Sequence, residues 1–328
     1  MAVQTPIATQ ERTCAARSPC AVSIIIPAFN VRPYLQRALE SALRQTLQGL
    51  EIIVVDDGST DGTSQLCDAF QARCPQRLRV VHQVNRGVSA ARNRGLELAG
   101  GEYVAFLDGD DYLADDFCER LYCKACTEQA EICRGVAWRC YPNGERHVDN
   151  VMREAFDLFG SRLFFLYYMF SAIYQKSFLD AHGIRFEEGI VLCEDNLFVN
   201  QAVLSCRHLA LEDEAYYYYC RRLGSADSLM LSHRQLQSVI YVYQKITDNL
   251  NRCCGPADRH GLAYVYWCLY HNMQSIAGRT VEPEDAPAAR HFAEVILAKC
   301  PHPEDVRLIE RVMPTRPGGS AQNPQART

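Results

Sequence analysis

The feature that most constrains this chain is a repeated alternation near its start. A short run of β-branched and apolar residues gives way to a polar cluster, and then to a segment with apolar residues at helical spacing. Val22–Ile26 stops at Pro27, and Arg32–Leu47 follows with Leu35, Ala38, Leu39, Ala42 and Leu43 on one side. Ile52–Val55 ends in Asp56-Asp57-Gly58-Ser59, and Asp61 stands where it can cap a helix running to about Arg73. Leu78–His82, Ser89–Leu98 and Glu102–Leu107 continue the pattern, with Gly100-Gly101 expected to close the third helix. Runs this short and this uniformly apolar fit strands buried on both faces of a parallel sheet. Such units in succession predict a doubly wound α/β domain with its ligand crevice at the carboxyl ends of the strands. Every unusual polar cluster falls there: Asn30 after the first strand, Asp56 and Asp57 after the second, Asn85 after the third, and Asp108 to Asp111 after the fourth.

Beyond Asp116 the pattern loosens. Glu131–Cys140 reads as a strand, Pro142-Asn143-Gly144 as a turn back to His147–Val151, and Arg153–Met169 as a helix before Ser171–Gln175. A helix opens near Glu194, and Tyr216–Cys220 reads as an edge or partly buried strand. From His233 to about Val312 the pattern is helical, interrupted at Gly255-Pro256 and Pro283–Pro287. The ends, 1–20 and 314–328, read as disordered tails. The chain thus divides into 21–112, 113–230 and a helical 231–313.

The formal net charge of −5 offers no general attraction for nucleic acid or anionic lipid. No apolar run approaches the roughly 18 residues of a membrane span. Leu163–Ile173, rich in Phe and Tyr, is short and lies between Arg162 and Lys176, which suits a buried core helix. Met1–Cys20 has no signal-peptide core, so the 16 cysteines are expected to be reduced, buried thiols of a cytoplasmic protein. One CxxC pair, Cys123 and Cys126, lies among Cys118, Cys133 and Cys140, but no second pair completes a zinc site.

The chemistry concentrates in Leu107-Asp108-Gly109-Asp110-Asp111. Alone, this is an Asp/Gly turn with Asp115 or Asp116 capping the next helix. Three neighbouring carboxylates repel one another, however, and Mg²⁺ or Mn²⁺ is held by one or two carboxylates together with substrate phosphates. Asp108 and Asp110 therefore suit a cation bridging a diphosphate. Asp57 offers a carboxylate to a base or ribose, and Arg92 and Asn93 add donors beside the same crevice. Glu194-Asp195 follows the apolar Ile190–Cys193 and leads an amphipathic helix, a setting for an anchored general base as well as for a simple cap.

Four ordered segments resemble family 2 glycosyltransferases. They are Ser23-Ile24-Ile25-Ile26-Pro27-Ala28-Phe29-Asn30, Val54-Val55-Asp56-Asp57-Gly58-Ser59, Asn85-Arg86-Gly87 through Arg92-Asn93, and Tyr103 through Asp111. The resemblance is strong over 21–112 and weaker to about Ser228. It implies a GT-A fold, which is a Rossmann-like, mostly parallel sheet flanked by helices, with a C-terminal helical extension. It implies inverting, non-processive, metal-dependent transfer from a UDP-sugar to a glycan or lipid-linked acceptor in surface polysaccharide synthesis, with peripheral contact at the inner membrane face. By position Pro27, Ala28 and Asn30 would line the nucleotide pocket, Asp57 would meet the uracil, and Arg92 would help hold the nucleotide. Asp108 would face ribose and metal, and Asp110 would be the principal ligand of Mn²⁺ or Mg²⁺. Asp195 would be the base and Glu194 an acceptor contact. Arg222 and Ser225 look like a loop over the diphosphate, and His233 is a candidate further metal ligand or a helix-cap histidine.

Gly109 departs from the serine common in the family, and the QxxRW motif of processive synthases is missing. A sugar-nucleotide pyrophosphorylase would carry a Gly/Arg-rich loop after the first strand, where this chain has Pro27-Ala28-Phe29-Asn30. A non-catalytic nucleotide-sugar binder would have little reason to keep both Asp110 and Asp195.

Overall fold

The protein's computed structural model describes residues 20–148, 163, 169–221, 231–255, 258–279, 281, 283–301 and 304–306. In chain order it forms β1 (Val22–Ala28), α1 (Arg32–Leu43), β2 (Leu50–Asp56), α2 (Thr63–Arg73), β3 (Leu78–His82), α3 (Val88–Leu98) and β4 (Tyr103–Phe106). There follow β5 (Tyr112–Leu113), α4 (Phe117–Glu128), β6 (Ile132–Cys140), β7 (Arg146–Val148), β8 (Ala172–Gln175), α5 (Lys176–Ala181), α6 (Glu194–Ser205) and β9 (Leu209–Cys220). The C-terminal part holds α7 (His233–Cys253), α8 (Arg259–Arg279) and α9 (Ala286–Ala298).

The strands lie in one sheet in the order β3-β2-β1-β4-β8-β6-β9-β5, with β7 paired to β6. The first four are parallel, and the order reverses between β1 and β4. That reversal opens a crevice at the carboxyl ends of β1 and β4. Beyond β4 the pairing is mixed, with β8 antiparallel to both β4 and β6 and with β9 parallel to β6.

The uniformly apolar strands are explained by a core on each face of the sheet. Ile24, Ile26 and Val54 pack with Leu35, Leu39 and Phe70 on one side, together with Phe117 and Leu121 of α4. Ile25, Ile53, Val55 and Phe106 pack on the other with Ala91 and Leu96, and that cluster continues into Leu236, Val239, Tyr243, Trp267 and Phe292 of the C-terminal helices. Each such side chain, fully buried, contributes roughly 1.5–3 kcal/mol relative to exposure. Gly95 lets α3 lie against β1: a Cβ there would stand 2.3 Å from Ile25 Cγ2.

Several local expectations change. Helix α1 ends at Leu43 rather than Leu47, because Gln45 turns inward, donating to Ser41 O and Ala114 O and accepting from Cys118 N. Gly62 (φ 92°), not Asp61, is the cap position of α2, although Asp61 still accepts from Thr63 N at 3.0 Å. Gly100-Gly101 is not a helix cap, since α3 runs straight into an extended Ala99 and Gly101 N donates to Ser23 Oγ. Asp116 occupies the cap position of α4 without a side-chain capping bond. The Tyr216–Cys220 run is the end of β9, a 12-residue strand lying between β6 and β5, so of the two expectations it is the partly buried strand and not the edge. Strand β7 covers Arg146–Val148, while the rest of the expected return strand and almost all of the expected helix Arg153–Met169 lie outside the described residues.

Helix α7 begins with a reciprocal cap in which Ser232 Oγ accepts from Gln235 N and Gln235 Oε1 accepts from Ser232 N. Among the described residues no helix is long and apolar enough to cross a membrane. All described cysteines carry free thiols, and burial pushes the Cys67 thiol up to about 12.

Candidate active site

The ends of β1 and β2 are tied together before any ligand is considered. Asn30, in a left-handed conformation (φ 51°), donates its N–H to Ser59 Oγ and accepts from Thr60 N at 2.8 Å. Ala28 O accepts from Asp57 N, and Pro27 and Ala28 are buried beneath the crevice. Phe29, 47% exposed, stands at its lip. Asp56 is buried. Burial opposes its charge, but bonds from Ser59, Ser64 and His82 hold its carboxyl below the ordinary range. Asp57 is buried as well, accepting from Gln83 Nε2 (2.8 Å), Arg86 N (2.9 Å) and Gly87 N (2.8 Å). Of the roughly four acceptor positions on a carboxylate, three are filled. Asp57 thus shapes the 83–87 loop, leaving one lone pair for anything else.

At the end of β4, the acidic turn is pinned by a residue that sequence reading passed over. Tyr217, fully buried on β9, accepts from Asp108 N at 3.2 Å and donates to Asp111 Oδ2 at 2.7 Å. Asp111 also accepts from Cys220 N at 2.7 Å. Burial, then the charges of Asp110 and Asp108, push the Asp111 carboxyl well above the usual range. Asp111 therefore anchors the turn, while Asp108 and Asp110 keep exposed faces. Gly109 suits its place, because a Cβ would come within 3.0 Å of Val31 Cγ2.

Arg92 joins the two acidic motifs. Its Nη2 donates to Asp108 Oδ1 at 2.8 Å and its Nη1 to Glu194 Oε1 at 2.7 Å, with the side chain only 5% exposed. Burial disfavours this charge, but Asp108 and Glu194 more than offset it, so the guanidinium stays charged. Its flat face lies over Phe186 at 5.2 Å. Asp195 follows Glu194 in the first turn of α6, after Cys193 in a left-handed conformation (φ 67°). Protein surrounds the Asp195 carboxylate, yet the residue keeps an accessible face. Burial, then the neighbouring Glu194, push its carboxyl up to about 7. A carboxylate poised there can accept a proton from a hydroxyl at neutral pH. A further bridge, Arg86 Nη2 to Glu188 Oε2 at 2.9 Å, links the 83–87 loop to the segment before α6.

Residues 23–184 match the sequence model of the family described as Glycosyl transferase family 2. The chain is similar to "Uncharacterized glycosyltransferase EpsJ" of Bacillus subtilis (strain 168), 32% identical over 307 residues that cover 88% of this chain and 81% of that one. It belongs to glycosyltransferase family 2. This glycosyltransferase is also similar to "Minor teichoic acid biosynthesis protein GgaA" of the same organism, 30% identical and covering 63% of this chain and 48% of that protein. In fold it is similar to S. aureus TarS 1-349 solved with UDP-GlcNAc, at a TM-score of 0.59, 22% identity, and coverage of 88% and 92%. It is likewise similar to the mannosyltransferase PcManGT of Pyrobaculum calidifontis solved with GDP-Man and Mn²⁺, at a TM-score of 0.54, 16% identity, and coverage of 89% and 79%. These likenesses and the mixed sheet give it the GT-A fold.

The donor set of this glycosyltransferase fits a hard divalent cation. Asp108 and Asp110 offer oxygen only, on a turn where their charges add to burial in raising the Asp111 carboxyl. Among the described residues no three His, Cys, Asp or Glu side chains form a ready-made cage. His233 opens α7, where its Nδ1 lies 2.9 Å from Asp285 Oδ1 and joins α7 to the start of α9. Arg222 and Ser225 lie outside the described residues. Tyr217 and the Arg86–Glu188 bridge went unread because their partners are about a hundred positions away.

Proposed function

We propose that this glycosyltransferase moves a hexose or N-acetylhexosamine from a UDP-sugar to a glycan or lipid-linked acceptor, one residue at a time and with inversion. The observation that carries this reading is the Arg92 clamp, which holds the acidic turn after β4 and the Glu194-Asp195 turn on one crevice. Asp195 takes the proton of the acceptor hydroxyl. The hydroxyl oxygen attacks the anomeric carbon from the face opposite the nucleotide, and the bond to the diphosphate breaks. Glu194, fixed by Arg92, lines the acceptor side. Mn²⁺ or Mg²⁺ held by Asp108 and Asp110 would offset the negative charge of the leaving diphosphate. Pro27, Ala28 and Asn30 floor the nucleotide pocket, and Phe29 at its lip offers the base an apolar face. Arg92 positions Asp108 and Glu194, and a diphosphate contact by Arg222 is part of the same proposal. The similarity to a teichoic acid biosynthesis protein supports a role in surface polysaccharide synthesis.

The test is turnover of a panel of UDP- and GDP-sugars with and without Mn²⁺, in wild type and in Asp110→Ala and Asp195→Ala. Release of UDP from one donor, dependent on metal and lost in both variants, is the expected result. Release that persists in Asp195→Ala at wild-type rate with an acceptor present would overturn the assignment of the base.

A further inference from the structure

Two cysteines meet at the carboxyl ends of β6 and β9, beside the acidic turn and outside the reacting groups. Cys140 and Cys220 are Cα partners across this parallel pair, so their side chains leave the sheet on the same face. The two thiols touch there, and both residues are partly exposed. Cys140 Sγ also lies 3.7 Å from Tyr112 Oη, and Cys220 Sγ lies 3.7 Å from the carbonyl of Tyr218. Cys133, the other cysteine of β6, faces Ala210 and Ile173 instead and is buried. Neighbouring strands stand about 4.8 Å apart. A disulfide accepts Cα separations of roughly 4.4–6.8 Å, so this pair can be bridged without repacking the sheet.

The position links the pair to the site. Cys220 N donates to Asp111 Oδ1 at 2.7 Å, one of the bonds that pin the acidic turn, and Arg221 N donates to Cys140 O at 2.9 Å. Arg222, proposed above as a diphosphate contact, follows Arg221 directly. We propose that Cys140 and Cys220 form a modification site, a dithiol that hydrogen peroxide converts into a reversible disulfide and that slows transfer when closed. The Cys140 thiolate attacks the peroxide. An S–O bond forms, the O–O bond breaks, and the leaving hydroxide takes up a proton to become water. Cys220 then attacks the sulfenic sulfur. The S–S bond forms, the S–O bond breaks, and hydroxide leaves with the Cys220 proton as a second water. Two thiols and one peroxide thus give one disulfide and two waters, with sulfur oxidised and peroxide oxygen reduced. Burial pushes the Cys220 thiol up to about 12, which suits the second role, where contact with its target makes up for a small thiolate fraction. The bond re-seats Cys220, whose N–H orders Asp111, so closing it reaches the acidic turn.

The experiment treats full-length protein with hydrogen peroxide, blocks the remaining thiols by alkylation, and maps peptides by mass spectrometry. Peptides carrying Cys140 and Cys220 should appear joined by a disulfide, and dithiothreitol should release them. Exposed Cys253 serves as the internal gauge of oxidant dose. If Cys253 is oxidised while Cys140 and Cys220 both remain open to alkylation, the site is overturned. Turnover of the active donor should fall several-fold as the bridge forms and recover with dithiothreitol. Cys140→Ser and Cys140→Ala should keep their untreated rates through the same exposure. Full bridging with unchanged turnover, or an equal loss in both variants, overturns the effect on transfer. The bridge is read by mass, so a wild type that turns over no donor counts against the transferase reading, whatever the peptide map shows.

Discussion

Asp195 is where burial and chemistry meet. A carboxyl held at about 7 by burial and by Glu194 must lose its proton before it can act as a base. Transfer rate should therefore rise with pH and level off above about 7, as read from a kcat–pH profile. Asp195→Asn should lower kcat by about 10²–10⁴-fold, the usual contribution of a positioned base. The sign for stability is opposite. The folded pKa lies above the unfolded value of 3.8, so protonation favours the folded state, and that contribution is lost as pH rises from about 4 through about 7. Asparagine cannot ionise, so Asp195→Asn should melt a few degrees higher than wild type at pH 8 and about equally at pH 4. Arg92→Lys should reduce kcat more than donor affinity, because a single ammonium cannot span Asp108 and Glu194 as the planar fork does; steady-state kinetics against donor concentration separates the two. The residue types at Asp108, Asp110 and Glu194-Asp195 were legible from the sequence. The partners of Arg92 were not, because Glu194 is 102 positions away and only the fold brings them together.

Helix α3 carries Arg92 to its place, and its distance from β1 is set by Gly95. Gly95→Ala would drive a methyl into Ile25, which the surrounding core can relieve only by moving the helix. The expected cost is about 1–3 kcal/mol in denaturant unfolding, with a fall in kcat as the Arg92 bridges lengthen. Strands β1, β2 and β4 were legible because both faces are buried, so each reads as a largely apolar run, whereas the edge strand β3 is partly exposed and carries Arg79 and His82. Strand β9 was legible only in its aromatic end. Its first half carries Glu212-Asp213-Glu214, whose charges resemble a loop, and a register irregularity between Arg134 and Val136 breaks the pairing opposite. Helix ends set by tertiary contacts, such as the inward turn of Gln45, left no local signal.

At the scale of the molecule, the C-terminal helices complete the hydrophobic core on the α3 side of the sheet. Leu236, Val239 and Trp267 belong to the same buried cluster as Ile25, Phe106 and Phe198. Leu236→Ala should cost about 2–5 kcal/mol. Calorimetry should then record one cooperative transition at lower temperature, not early melting of the helices alone. The two-sided core has an evolutionary corollary. With β1, β2 and β4 buried on both faces, new donor or acceptor preferences can arise most readily in the loops at the strand ends. Exchanging those loops between relatives should retune selectivity while the scaffold stays intact.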